Sequence, residues 1–454
     1  MNIAILGHGL EGQAVETYFK AHSSTDTPHN LTFFDHFEDY QIPSFHLENF
    51  DLVFRSPSVH PQFVLSPEDR GLSSNWTSIT NYFFQHCKAP IIGVTGTKGK
   101  GTTCSIITNL LRQFPERFEN IHLVGNIGTP AILELDKITE KDLVVYEMSS
   151  FQCWDLQKSP HVAVVLRIEP DHLDRHRDFE DYIAAKTNIV NFQTASDFCI
   201  YYANNPDSTK IGLKSAGHQA TYPIKTNRDK LNPLLDQLKV PGEHNRENAE
   251  AAILAVLDIL HLSLEELFRE EHKDVYQKFA HGLATFTGLP HRIQFVRELN
   301  HVRYYDDNYS SAFPAADVAI KAFEAYPTIL IAGGKDRHLD LSAMKQRFFT
   351  ANNLKKIILI GETRFALAEG EDPEKFILAE SLEDAVLYAK NYAENYAANL
   401  ESNYDLCIPS TPEAINNQSA KPVIVLMSPG AASFDMFKDF SDRGNQFQQI
   451  VKSF

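Results

Sequence analysis

The chain has 454 residues, long for one domain, and the length prior suggests about three. A formal net charge of −17 gives no electrostatic reason to bind DNA or RNA as polymers, although local amides and a few Lys and Arg can hold a small anion. No run of about twenty apolar residues occurs, and Met1-Asn2-Ile3-Ala4-Ile5-Leu6-Gly7 enters a strand directly, so a cytoplasmic enzyme with no membrane insertion is expected. The cysteines Cys87, Cys104, Cys153, Cys199 and Cys407 lack metal-ligand spacing and read mostly as small buried apolar residues in a reducing compartment.

In chain order, residues 2–6 form a strand, Gly7-His8-Gly9-Leu10-Glu11-Gly12 a turn, and an amphipathic helix runs to about His22. A second strand, 31–34, ends at Asp35. This is the strand, G-x-G-x-x-G, helix, strand, acid layout of a dinucleotide site, which read alone says NAD. The segment is short, finishing near Cys87, and a second nucleotide motif follows at once. The same turn can therefore hold the diphosphate of a nucleotide sugar, with Asp35 near its base or sugar. The stretch 54–61 after strand 50–54 is either another turn at the ligand edge or an ordinary Pro-containing loop.

Ile91-Ile92-Gly93-Val94-Thr95-Gly96-Thr97-Lys98-Gly99-Lys100-Gly101-Thr102-Thr103 reads as a buried strand, a glycine-rich turn, then Lys and two Thr opening a helix over 104–112. In such a turn backbone N–H groups and the helix N-terminus surround a phosphate, the Lys reaches the outer phosphates, and a Thr hydroxyl can ligate Mg²⁺. Gly93 lies one residue too far from Gly99 for G-x-x-x-x-G-K, so an incidental Lys in an ordinary turn stays open. Strand 143–146 runs into Glu147-Met148-Ser149-Ser150-Phe151-Gln152, and strand 162–166 into Glu169-Pro170-Asp171-His172-Leu173-Asp174-Arg175-His176. Glu147 is suited to complete a Mg²⁺ shell, and His172 either ligates a second cation or caps the next helix. Lys186, among Ala and Ile, either snorkels to solvent or sits inside for a reason.

Asn245 and Asn248 stand three apart at the start of a helix over 249–260, so both amides can read one ligand edge such as adenine; a helix cap explains only one of them. Gly288-Leu289-Pro290-His291-Arg292 reads as a linker. Strands 302–305, 328–332, 356–360 and 423–426 then each end in a Gly, Ser or Asp turn, again a doubly wound sheet with one functional edge. Residues 403–421 read as a surface insertion. The expected fold is α/β, three doubly wound domains in series: a Rossmann-like segment 1–88, a P-loop ATPase-like segment 89–287 and a Rossmann-like segment 288–454.

Gly93 to Thr103, Glu147 to Gln152, Asp171 to His176, Gly242-Glu243-His244-Asn245-Arg246-Glu247-Asn248, Gly288 to Arg292, and the stretch 428–444 (SPGAASFDMFKDFSDRG) together resemble the Mur ligases, the ATP-dependent amide-forming enzymes of peptidoglycan precursor synthesis. The resemblance covers essentially the whole chain, and the last motif points to the branch that adds D-glutamate to UDP-N-acetylmuramoyl-L-alanine. It implies that Gly9, Leu10, Asp35, Ser56, Asn126, Ser149 and Gln152 bind the UDP substrate. ATP would meet Gly96, Thr97, Lys98, Gly99, Lys100, Gly101, Thr102, Thr103, Asn245, Asn248, Arg292 and Asp307, with Arg292 reaching the γ-phosphate. One Mg²⁺ would sit between Thr102 and Glu147, a second near His172 and a carbamylated Lys186, and these residues with Lys100 would carry catalysis. Ser311, Arg337, Ser433, Phe434 and Phe440 would take the amino acid, the third segment closing over the second once substrates are in place. The implied protein is a monomer with no nucleic-acid partner.

This chain departs from the family pattern at three places. Gly101 follows the loop Lys where Ser or Thr is usual, as in folylpolyglutamate synthases, a sister-ligase alternative. The usual Asp-Ser-Lys-Ala-Thr reads Asp307-Asn308-Tyr309-Ser310-Ser311, and Arg337 replaces a Lys. A non-catalytic nucleotide-binding protein and an NAD oxidoreductase are the remaining alternatives.

Overall fold

The computed structural model describes residues 1–34, 49–59, 75–338, 340–370, 372–404 and 421–454. They form two compact units, one of Met1–Leu238 with Glu243–Thr285, the other of Lys239–Gly242 with Phe286–Phe454.

The first unit holds two sheets. Strands β1 (Asn2–Leu6), β2 (Asn30–Phe34), β3 (Leu52–Arg55) and β4 (Trp76–Ser78) form a parallel sheet in the order β2-β1-β3-β4. Strands β5 (Ile91–Thr95), β6 (Ile121–Gly125), β7 (Leu143–Glu147), β8 (Val162–Val165), β9 (Phe198–Tyr202) and β10 (His218–Tyr222) form a parallel sheet in the order β10-β9-β8-β5-β7-β6. β5, β7 and β8 are buried throughout, as parallel strands covered on both faces must be. One hydrophobic cluster runs through both sheets. Phe83 and Phe84, on the helix Ile79–His86, set their rings 5.5 and 5.4 Å from Tyr146 of β7.

The second unit carries β11 (Gln294–Leu299), β12 (Val302–Asp306), β13 (Thr328–Ala332), β14 (Leu354–Leu359), β15 (Phe376–Leu378) and β16 (Val423–Met427), ordered β11-β12-β16-β13-β14-β15. The sequence suggested four strands here, all leading to one edge. The sheet gains short β15 and antiparallel β11, which pairs with β12 through Asn300-His301, both at positive φ as a tight hairpin turn demands.

The α/β class is as expected. Strands 143–146, 162–166, 302–305, 328–332 and 423–426 match β7, β8, β12, β13 and β16 within a residue. The helix expected over 104–112 instead spans Lys100–Leu111. It starts earlier because Gly99, at φ +88°, makes the left-handed cap that lets a helix begin on the next residue. Of the expected insertion 403–421, residues 405–420 lie outside the described set, as does Asp35. No helix among the described residues is long and apolar enough to cross a membrane.

Candidate active site

In an open parallel sheet ligands gather where neighbouring strands leave in opposite directions. The chain passes from β5 outward to β6 and returns to β7 on one side, then proceeds through β8 to β10 on the other, so the turn after β5 lies at that switch point. There the phosphate-loop Lys and the lone Lys of the later helix meet. Lys100 Nζ donates to the carbonyls of Gly96 and Thr97, each at 3.0 Å. Lys186, on the helix Phe179–Asn191, donates to the same Gly96 carbonyl at 3.0 Å and to Thr95 Oγ1 at 3.2 Å.

Lys186 is 1 % exposed. Burial pushes its amine down to about 7, and the neighbouring Lys100 pushes the same way. Lys100 is itself lowered by burial, against the pull of Glu147 and Asp171. Lys186 therefore does not snorkel.

The loop's other residues divide by exposure. Thr97 is buried, its hydroxyl bonded to Tyr182 Oη at 2.9 Å and accepting from Glu169 N–H at 2.8 Å, which ties the loop to the segment after β8. Lys98 is exposed. Thr102 is partly exposed in the first helical turn, whereas Thr103 is fully buried, so Thr102 is the hydroxyl a ligand can reach. Glu147, ending β7, accepts from Asn126 Nδ2 at 3.0 Å, so a residue expected against the substrate braces the expected metal ligand. Asn245 and Asn248 are both buried on the helix Glu243–Ile259. Asn248 packs on the loop so closely that a Cβ at Gly99 would lie 2.7 Å from its Oδ1.

His172 is half-exposed, adopts φ +54°, and accepts at its carbonyl from Arg175 and His176 N–H. It does not cap the next helix as one expectation had it: the N-cap of Phe179–Asn191 is Asp178, six residues further on, whose side chain accepts from Asp181 N–H. Its neighbour His176 is the residue the motif reading passed over. Buried, it bonds Ser150 Oγ at 2.9 Å and Asp181 Oδ2 at 3.1 Å, joining the 149–152 segment to the helix of Lys186. Ser149 and Gln152 close a capping box on each other, and Gln152 Nε2 donates to Glu11 Oε1 at 2.9 Å, on the helix after the first glycine turn. Burial raises Glu11. Ser56 Oγ donates to the Gly7 carbonyl at 2.7 Å; Gly9 and Leu10 stay exposed. Gly12 has no room for a side chain because the Gly7 carbonyl lies against it.

In the second unit Ser311, Arg337 and Phe434 are exposed, Phe440 sits at the surface, and Ser433 is buried. Loops after β12 and β16 are laced together: Gly430 N–H donates to the Ser310 carbonyl at 3.0 Å. Asp307, expected at ATP, is the centre of that lacing. Its Oδ1 accepts from Ile293 N–H at 3.1 Å, and its Oδ2 from Ser310 and Ser428 hydroxyls at 2.5 and 2.6 Å.

Burial raises Asp307 to about 6 despite those three donors, with Asp306 adding to the rise. A carboxyl raised from 3.8 in the folded state binds its proton more tightly there. Its contribution to stability is thus greatest below about pH 4 and is lost as pH climbs to about 6, a difference on the order of 3 kcal/mol. Asp307→Asn, which keeps the shape and one acceptor, should remove that slope. Thermal melts of wild type and variant from pH 4 to 7 check this: parallel curves would show that Asp307 does not titrate in this window.

The chain is similar to several known proteins. The Mur ligase middle domain matches residues 94–256. A protein of Clostridium kluyveri (strain ATCC 8527) named UDP-N-acetylmuramoylalanine--D-glutamate ligase is 33 % identical over 426 residues, covering 89 % of this chain and 83 % of that one. One of the same name from Acetivibrio thermocellus is 33 % identical over 440 residues, covering 90 % and 84 %. Among solved structures, the UDP-N-acetylmuramate-alanine ligase MurC of Thermotoga maritima superposes with a TM-score of 0.51 at 16 % identity, covering 100 % of this chain and 99 % of that chain, a likeness of fold. With identity of this level along nine-tenths of its length, the chain belongs to the Mur ligase family.

Proposed function

We propose that this chain is the ATP-dependent ligase that joins D-glutamate to UDP-N-acetylmuramoyl-L-alanine in peptidoglycan precursor synthesis. The observation that carries the reading is the pair of lysine Nζ atoms on one carbonyl, that of Gly96, at the mouth of a helix N-terminus. The Lys100 cation held at that helix N-terminus calls for an anion, and a triphosphate supplies it.

A carboxylate is a poor acylating agent. In the proposed chemistry the terminal carboxylate of the UDP substrate attacks the γ-phosphorus of ATP, ADP departs, and an acyl phosphate forms. The D-glutamate amine then attacks the acyl carbon, phosphate leaves with the C–O bond, and the amine gives up its proton. Lys100 holds the phosphates, Lys98 and the loop amides flank them, and Asn245 and Asn248 face the adenine. Gly9, Leu10, Asp35 and Ser56 take the UDP end, with Ser149 and Gln152 beside the muramoyl end and Asn126 reaching both it and Glu147. Ser311, Arg337, Ser433, Phe434 and Phe440 are assigned to the amino acid, and Arg292 and Asp307 to the nucleotide side of the second unit. We assign the segments 1–88, 89–287 and 288–454 to UDP substrate, ATP and amino acid, in a cytoplasmic monomer.

The residues present fit Mg²⁺. Among the described residues no group of three His, Cys, Asp or Glu side chains could hold a metal alone. The hydroxyl of Thr102 and the carboxylate of Glu147 are hard oxygen donors, and Mg²⁺ commonly takes one or two carboxylates plus phosphates and water. A second ion near His172 needs an oxygen from Lys186, which its carbamate would provide; an amine at about 7 is poised to form one. Bound there, Mg²⁺ would offset charge on the transferring phosphoryl group.

The test is phosphate release with ATP, UDP-N-acetylmuramoyl-L-alanine and a panel of amino acids. Release should need all three components and be greatest with D-glutamate. Release on a different amino acid alone would move the chain to a sister activity.

A further inference from the structure

Arg443, on the helix Phe440–Lys452, takes no part in the reaction proposed above, yet it is 0 % exposed. Among the described residues it pairs with no carboxylate. Burial pushes its guanidinium down to about 10, against the pull of Asp435 and Asp306, so it stays charged at neutral pH. A buried charge without a counter-ion is costly, and an apolar side chain of similar volume often serves stability as well. The reason for the charge is therefore to be sought in what its donors hold.

They hold three loops of the second unit. Arg443 Nε donates to Asn308 Oδ1 at 2.7 Å, in the loop after β12. Its Nη2 donates to the Ala431 carbonyl at 3.1 Å and its Nη1 to the Ala432 carbonyl at 3.4 Å, in the loop after β16. The Ala432 carbonyl also accepts from Lys335 N–H at 2.9 Å, which brings in the loop after β13. Gly334 lets that loop come so near: a Cβ there would lie 3.1 Å from Arg443 Nη1 and would crowd the Ala432 carbonyl.

The same three loops carry residues assigned to the amino acid. Ser311 lies three residues after Asn308, Arg337 two after Lys335, and Ser433 directly after Ala432. The buried Oγ of Ser433 has no hydrogen-bond partner among the described residues, so its capacity is left for a ligand. Phe440 stands three residues before Arg443, on the same face of their helix, and meets the Tyr309 ring at 5.3 Å, T-shaped. A planar guanidinium presents its donors in a fixed fork that can serve several acceptors at once; a lysine ammonium on a flexible stem cannot reproduce it.

We propose that Arg443 is a positioning residue that locks the loops after β12, β13 and β16 in one register, so that Ser311, Arg337 and Ser433 form a single site for the incoming amino acid. This rests on the reaction proposed above. Arg443 itself stays out of the ligand's reach and acts through the backbone it holds.

The test is the steady-state rate of phosphate release by full-length wild type, Arg443→Lys, Arg443→Met and Gly334→Ala, varying D-glutamate, ATP and UDP substrate separately. Arg443→Lys keeps the charge but not the fork. It should raise the KM for D-glutamate about tenfold and leave the KM values for ATP and UDP substrate within about twofold of wild type. Arg443→Met should raise the KM for D-glutamate at least as far. Gly334→Ala drives the loop after β13 off the Ala432 carbonyl with Arg443 intact, and should raise the same KM about tenfold. An unmoved KM for D-glutamate in a folded Arg443→Lys overturns the proposal, as does a rise shared equally by all three substrates. If neither position-443 variant folds, an unmoved KM in Gly334→Ala overturns it. A wild type that releases no phosphate on D-glutamate sinks the reaction itself and is told apart by that control.

Discussion

Lys186→Met is expected to lower kcat/KM for phosphate release about a thousandfold, ~4 kcal/mol of transition-state stabilisation, in a protein that still folds. Methionine matches the volume of the buried stem and removes the nitrogen. The size of the effect follows from what that nitrogen is. At its ordinary value of 10.5, roughly one lysine in 3,000 is neutral at pH 7; at about 7, half are. Only the neutral amine attacks CO₂, forming an N–C bond and releasing a proton to leave a carbamate. Burial next to Lys100 thus supplies the neutral form, and a carbamate, as proposed above, would convert a second cation on Gly96 into an anion. Two measurements separate the parts. CO₂-depleted wild type should lose activity and regain it with bicarbonate, and Lys186→Ala should recover part of its activity with a small carboxylate such as acetate. A Met variant within tenfold of wild type would remove Lys186 from the chemistry. A dead Met variant with no bicarbonate response would leave it as an ammonium bracing the loop.

The sequence allowed two places for Lys186, snorkelling or inside, and the structure buries it: a charge surrounded by Ala and Ile has no cheap place to go. The phosphate loop, the strand-end Glu147 and the doubly wound sheets were legible, since glycine spacing and apolar runs are local properties. What sequence reading missed is long-range pairing of polar groups. Asn126 looked like a substrate ligand and braces Glu147. His176 appeared only as the end of a motif, yet it joins Ser150 to Asp181. Asp307 looked like a nucleotide ligand and laces three loops within its own unit. Arg55 was read inside a Pro-containing turn, and its partner lies 100 residues away, where no periodicity can announce it.

That Arg55 pair sets the second large effect: Asp155→Ala should destabilise the first unit by about 3–5 kcal/mol, the cost of leaving a buried charge without its counter-ion. Arg55 Nε and Nη2 donate to Asp155 at 2.8 and 2.7 Å, with both side chains essentially inaccessible. The remaining donors reach the Val59 carbonyl at 3.1 Å and the Phe151 carbonyl at 3.0 Å, and Trp76 Nε1 donates to Asp155 at 3.2 Å. Asn81 grips the Asp155 backbone as well. The ends of β3 and β4 are thereby pinned to the segment that follows Ser149 and Gln152. Losing the carboxylate should lower the melting temperature by on the order of 10 °C for a unit of this size and raise the KM for the UDP substrate, since Ser56 and Gln152 lie on either side of the pin. Melting within about 2 °C of wild type would mean that the carbonyls alone satisfy the guanidinium. The double replacement Arg55→Met with Asp155→Leu decides what the pair is for. With both charges gone no desolvation is owed, so the double variant should melt above Asp155→Ala. If it equals wild type in stability yet keeps the raised KM, the pair acts by setting the register of two substrate-binding edges and contributes little net stability.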